Sequence, residues 1–234
     1  MYEGAPIPIT NFISSIPKIA FFVFAYRFLD KNDIFQNENF YNLILILGVF
    51  SIFIGNIFAL AQRKILRMLA YSSIANSGFI FIALYTAKDF NFSVSAFYVI
   101  VYSFTIVSSL SIITFLSSKK FDLVYIDDLK GLSSNAGFIS LLLMVTMLSS
   151  AGIPLTVGFY AKYLVLDALI SSGLVYVAVI TVLMTVVGLY YYLRIIWFMF
   201  FEQGSNSLIN LGGRFHILTS VSYTHLTLPT NREV

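Results

Sequence analysis

The chain has 234 residues, 59% hydrophobic and 11% charged, with a net charge of +3 and no cysteine. A mean hydropathy of +0.87, and far less charge than the ~25% of a soluble domain, make it a polytopic membrane protein. The missing cysteines exclude disulfides, thiolate metal sites and iron–sulfur ligation by this chain, and the small, scattered charge argues against nucleic acid.

Uncharged runs cover 39–62, 68–87, 90–118, 131–161 and 168–193. Each reaches the ~20 residues a helix needs to cross hydrocarbon. They are apolar around the whole circumference rather than alternating, which favours helices over a barrel. The expected fold class is all-α, a polytopic transmembrane helical bundle with a broken helix near Pro154. Helices are expected over about 9–29, 41–61, 65–86, 93–117, 137–169 and 173–201. The start, Met1-Tyr2-Glu3-Gly4-Ala5-Pro6, has no basic region before an apolar core and reads as a connecting loop.

Pro6 and Pro8 precede the first helix, where a missing N–H is harmless. Pro17 lies inside it and predicts a kink. Lys18 follows directly, before Ile19-Ala20-Phe21-Phe22. A cation at bilayer depth costs ~2.5–3.5 kcal/mol on insertion scales, and such residues usually line a polar pathway. Lys18 stands about nine residues into its helix, ~13 Å of rise from the headgroups, a long way to snorkel. Lys18 is therefore a candidate for proton or ion movement.

The second helix ends at Arg63-Lys64-x-x-Arg67, and Lys119, Lys120 and Lys130 follow the fourth. These loops lie on one side, and their Lys/Arg excess places them in the cytoplasm or matrix together with the start of the chain. The third helix carries a polar stripe of Tyr71, Ser72, Ser73, Asn76 and Ser77. Water-wire support and packing through small polar residues are both open for it. Tyr71, Ser72 and Asn76 are the candidate path residues.

The fifth helix is interrupted by Ala151-Gly152-Ile153-Pro154, with Gly158 beyond. Pro154 removes an intrahelical bond and clashes with the preceding turn. At membrane depth, freed backbone groups are tolerated only inside protein or against a wet cavity. Lys162 follows the break, and its five-residue offset from Asp167 makes that pairing poor. Pro154 and Gly158 are candidates for the break, and Lys162 for charge transfer. Tyr190 to Tyr192 read as membrane-facing or packing residues and Arg194 as an interface anchor. Asp127, Asp128 and Lys130 read as a solvated loop or a contact to a neighbouring subunit.

Residues 1–220 form the expected membrane domain, about six spans and the start of another. The tail 221–234, Val221-Ser222-Tyr223-Thr224-His225-Leu226 onward, breaks the pattern and resembles a translated sequencing adapter, so it is expected to be non-native.

Several motifs resemble subunit N (subunit 2) of respiratory complex I. They are Tyr2-Glu3-Gly4-Ala5-Pro6-x-Pro8, Pro17-Lys18-Ile19-Ala20, Gly55-Asn56-x-x-Ala59-Leu60-x-Gln62 and Arg67-Met68-Leu69-Ala70-Tyr71-Ser72-Ser73-Ile74-Ala75. Asp128-Leu129-Lys130-Gly131-Leu132, Leu148-Ser149-x-Ala151-Gly152-Ile153-Pro154 and Gly188-Leu189-Tyr190-Tyr191-Tyr192-Leu193-Arg194 continue in family order. The resemblance implies one antiporter-like half of a proton-translocating membrane subunit of NADH:quinone oxidoreductase. Lys18 matches the family's central lysine, and Lys162 the lysine of its broken helix. Where the family commonly has histidine this chain has Asn76, which cannot titrate; where it often has lysine stands Leu66, with Lys64 two residues earlier.

The resemblance also implies no cofactor or metal in this chain, with quinone, FMN and iron–sulfur clusters in other subunits. The implied partners are other membrane-arm subunits, the lipid bilayer, protons and water. The implied location is a bacterial inner (plasma) or mitochondrial inner membrane. A cation/proton antiporter subunit or the membrane subunit of a related hydrogenase is the alternative.

Overall fold

The structure, a computed structural model, describes residues 7–31, 38–87, 92–117 and 124–203. The expected non-native tail at 221–234, and Lys119 and Lys120, lie outside these residues. The long helices are α1 (Ile7–Lys31), α2 (Glu38–Leu60), α3 (Ile65–Thr86) and α4 (Phe92–Ser117). A 3-10 turn (Ile126–Leu129) and the one-turn α5 (Leu132–Asn135) lead into α6 (Gly137–Ala151), α7 (Val157–Ser171) and α8 (Val175–Phe200). The fold is all-α, as expected, and among the described residues the β-structure is a single bridge between Lys64 and Tyr125.

The segments Asn39–Leu60, Ile65–Thr86, Phe92–Ser117 and Val175–Phe200 are each long and apolar enough to cross a membrane. α1 has 25 residues and runs on through Pro17. The expected helix over 137–169 is two helices of 15 residues each. At 1.5 Å per residue, each spans only ~22 Å, short of the ~30 Å of hydrocarbon, so they must act in tandem.

α3 is the central helix, with 67% of its apolar span buried against 28% for α8. It packs on α2, α4 and α7, while α1 lies against α4. The α2–α3 seam is built from small residues. A Cβ on Gly48 would come within 3.0 Å of the Gly78 carbonyl. Close backbone approach of this kind replaces the hydrophobic drive that helices lack among lipid tails.

The loops expected on one side of the membrane do meet. Ile126 N donates to the Arg63 carbonyl (2.9 Å), and Ile65 N donates to that of Val124 (3.1 Å). Asp128 accepts from the backbone N–H groups of Val124 and Tyr125 (3.0 and 2.7 Å). Lys130 bridges Asp127 (2.9 Å) and Glu202 (2.8 Å) beyond the end of α8. This largely exposed segment, read as a solvated loop or a contact to a neighbouring subunit, also forms a clasp tying three chain segments together.

The hydrogen bond from Lys130 holds the Asp127 carboxyl below its usual range, helped by Arg194 and Arg63. The hydrogen bonds to Glu202 and Asp127 hold Lys130 above its usual value. Asp127 thus stabilises above the ordinary carboxylate range and loses this as pH falls through its lowered value. Lys130 stabilises below the ordinary lysine value and loses this as pH rises through its raised one. The melting-temperature gap between the full-length protein and its Lys130→Ala variant is expected to be flat from about pH 5 to 9 and to narrow in acid. A gap that changes within that window would contradict the clasp.

Candidate functional site

The site begins at the break. Gly152 has φ +82°, the left-handed conformation that glycine adopts freely. Gly152 N donates to the carbonyls of Leu148 (3.0 Å) and Ser149 (3.1 Å), and Ile153 N to that of Leu148 (3.2 Å). This is a Schellman end to α6. A helix end leaves four carbonyls to satisfy, and the last two fall to a side chain. Lys162 Nζ donates to Ser150 O (2.7 Å) and Ala151 O (3.3 Å). The lysine thus lies at the negative end of the α6 dipole, where a cation is favoured. Its ammonium also stands 5.4 Å over the Phe79 ring.

α7 starts just as deliberately. Thr156 caps it, accepting from Phe159 N (3.3 Å), and Gly158 N donates to Ser149 Oγ (3.2 Å). Pro154 lies in the five-residue link between the helices. Leu155, also in the link, has φ +79°.

Lys18 is held from two other helices. Its Nζ donates to Ser73 Oγ (2.9 Å) and Ser73 O (3.2 Å) on α3, and to the Tyr102 hydroxyl (2.9 Å) on α4. Three acceptors match the three N–H donors of an ammonium. The side chain is partly buried and turns toward the interior of the bundle.

Between the two lysines lies a band of hydroxyls and amides. Tyr102 stacks on Tyr98, ring centroids 6.4 Å apart. The Tyr98 hydroxyl reaches Asn76 Oδ1 at 3.2 Å, while Asn76 Nδ2 donates to Ser72 O (2.9 Å). The buried Tyr192 hydroxyl lies beside Ser72, Asn76 and Tyr191. Asn56 Nδ2 donates to Met184 O (3.0 Å), and Tyr191 donates to Asn56 Oδ1 (3.1 Å). Asn56, Asn76, Phe79, Gly188, Tyr191, Tyr192 and Lys162 line a cavity of about 10 Å³, roughly what one water requires.

Lys18, Ser72, Asn76 and Lys162 are thus brought into one polar band by α1, α3 and α7. Tyr71 is placed elsewhere: its ring stacks on Phe58, which is exposed on the outer face of the bundle. Asp167 is exposed, and Lys162 is held by the α6 carbonyls. Of the tyrosines expected to face the membrane or to pack, Tyr190 is 63% exposed, while Tyr191 and Tyr192, each 2% exposed, pack inside the bundle and also border the site. Arg194 reaches the Gln62 carbonyl (3.5 Å) and covers the Phe198 ring. Sequence reasoning also passed over Tyr98 and Tyr102. A four-residue spacing puts them on one face of α4, but only the fold turns that face toward Lys18. Among the described residues, no group of three or more His, Asp or Glu is placed to hold a metal ion.

Subunit N of the NADH-quinone oxidoreductase of Laribacter hongkongensis is 36% identical over 225 residues, 95% of this chain and 46% of that protein. The subunit N of Nitrosomonas europaea is 40% identical over 202 residues, 86% of this chain and 42% of its own. The chain therefore spans less than half the length of these relatives. Respiratory complex I from Thermus thermophilus with bound aureothin contains a similar chain, with TM-score 0.64 and 28% identity over 79% of this chain and 42% of that one. The archaeal membrane-bound sulfane sulfur reductase shares the fold, with TM-score 0.80 and 22% identity over 96% of this chain and 46% of its own. So does the Mrp complex from Dietzia, at 0.76 and 18%, over 87% and 38%. The family of NADH:quinone oxidoreductase and Mrp antiporter transmembrane segments matches residues 1–188, which include both lysines and the broken helix. This multi-pass membrane chain belongs to that family.

Proposed function

We propose that this chain is part of a proton-translocating membrane-arm subunit of an NADH:quinone oxidoreductase. It passes protons through Lys18 and Lys162, driven by quinone reduction elsewhere in the complex. The observation that carries this reading is the band of hydroxyls and amides running from Lys18 to the cavity beside Lys162. A buried cation needs such a polar lining, and its expense at membrane depth marks a functional pathway. The two curated relatives named above, both NADH-quinone oxidoreductase subunit N, support the assignment.

In this reading the chain performs no redox chemistry. Flavin, iron–sulfur clusters and the quinone site belong to other subunits. Its partners are the neighbouring membrane-arm subunits and the lipid of a bacterial or mitochondrial inner membrane. Lys18, Tyr98, Asn76 and Tyr192 form the approach to Lys162, with Ser72 lending a backbone carbonyl that orients Asn76. Asn76 takes no proton itself; it accepts a hydrogen bond and passes on orientation. Cation/proton antiport is the second reading, and it rests on the shared fold of the Mrp complex.

The test is Lys18→Met in the full-length protein within its assembled complex. Assembly is expected to survive, and proton transfer through this subunit to fall about a hundredfold, within the range a positioned acid–base group contributes. Normal proton pumping per quinone reduced would overturn the assignment. Sodium-dependent antiport without dependence on quinone reduction would favour the second reading.

A further inference from the structure

Asn56 on α2 is buried at 3% exposure and reaches two points of α8. Its Nδ2 donates to Met184 O and its Oδ1 meets the Tyr191 hydroxyl. The side chain lies across Gly188, where a Cβ would come within 3.0 Å of Asn56 Oδ1 and 3.5 Å of the Tyr191 oxygen. The amide has one workable orientation here. A backbone carbonyl cannot donate, so the amide nitrogen must face Met184 and the amide oxygen must face Tyr191. An amide oxygen cannot donate either, so a Tyr191 hydroxyl bonded to Asn56 spends its proton there and not on the Tyr192 hydroxyl beside it. The Tyr191 oxygen then presents a lone pair, not a proton, to the cavity that it shares with Lys162.

We propose that Asn56 is a positioning residue that fixes the hydrogen-bond direction of Tyr191, so that the cavity beside Lys162 meets an acceptor on its α8 side. A water there accepts from the Lys162 ammonium and donates to Tyr191, which gives the last step of the band one polarity. This rests on the proton-transfer reading and adds to it the residue that sets direction. Asn76 and Tyr98 repeat the device on α3 and α4. There too the amide nitrogen is tied to a backbone carbonyl, and the oxygen faces a tyrosine hydroxyl.

The experiment uses the full-length subunit in its assembled complex, with Asn56→Leu, Asn56→Asp, Tyr191→Phe, the Leu/Phe double variant and Lys162→Met. Proton transfer per quinone reduced is measured for each. Infrared difference spectra with isotope-labelled tyrosine report whether the Tyr191 hydroxyl donates or accepts. Asn56→Leu and Tyr191→Phe are each expected to lower transfer by about three- to tenfold, the range of one lost hydrogen bond. The double variant should be no worse than either single change, because both act through one hydroxyl. Asn56→Asp loses the donor to Met184 O but keeps an oxygen for Tyr191, so Tyr191 should still report as a donor and transfer should stay above that of Asn56→Leu, which should lose the donor signature. A donor signature retained in Asn56→Leu, or additive losses in the double variant, would overturn the proposal. Normal transfer in Lys162→Met would instead bring down the proton-transfer reading itself, so the two failures are distinguishable.

Discussion

Exchange of Lys162 for methionine in the full-length protein is expected to abolish proton transfer past the broken helix and to weaken the break itself. Methionine fills a similar volume but donates no hydrogen bond. Ser150 O and Ala151 O, which now accept from Nζ at 2.7 and 3.3 Å, would lose their partner. A buried acceptor left unsatisfied costs about 1–3 kcal/mol, so lower thermal stability should accompany lost transfer.

Lys162→Arg separates the two effects. A guanidinium can donate to both carbonyls and keep the cation at the end of the α6 dipole. It does not release its proton in a protein. The arginine variant should therefore melt close to wild type while transferring protons at least about a hundredfold more slowly. Assembled complex and quinone reduction provide the internal reference. If Lys162→Arg pumped normally, Lys162 would be a structural plug of the helix end. If both variants melted alike and poorly, packing at this position would dominate over the carbonyl contacts.

Much of this arrangement could be read from residue order alone. Pro154 after Gly152 announced the break, because one removes an N–H and the other ends a helix in the left-handed conformation. Lys18 and Lys162 stood out because charge inside an apolar run has few bland explanations. The positive loops were expected on one side, and Arg63 and the 124–126 segment do meet in one clasp.

What could not be read was the facing of aromatic residues. Tyr190, Tyr191 and Tyr192 are alike in sequence, but a step of 100° per residue turns Tyr190 outward while its two neighbours point inside. Helices apolar all round give no stripe from which to choose the inner face. Tyr71 illustrates the same ambiguity in reverse: it neighbours Ser72 in the chain yet stacks on exposed Phe58. The acceptors of Lys162 were invisible for another reason. They are backbone carbonyls of Ser150 and Ala151, made available by the helix end rather than by side-chain identity.

That helix end also sets the harshest expected substitution. Gly158→Val should prevent α6 and α7 from packing as they do, with a loss of roughly 3–5 kcal/mol or failure to assemble. A Cβ at Gly158 would overlap the carbonyl of Ser149, a backbone group that cannot swing aside. Relief requires the start of α7 to move away from the end of α6, which breaks the Gly158 N to Ser149 Oγ bond and draws Lys162, one turn further on, off its carbonyls. Ser149→Ala provides the scale. It removes the hydroxyl and leaves the backbone approach intact, so it should cost only the ~1 kcal/mol of one hydrogen bond. Melting of the detergent-solubilised full-length protein and yield of assembled complex would measure both. A mild Gly158→Val, close to Ser149→Ala, would mean that the two half-helices can part without harm. The placement of Lys162 would then depend on contacts other than the close approach at the break.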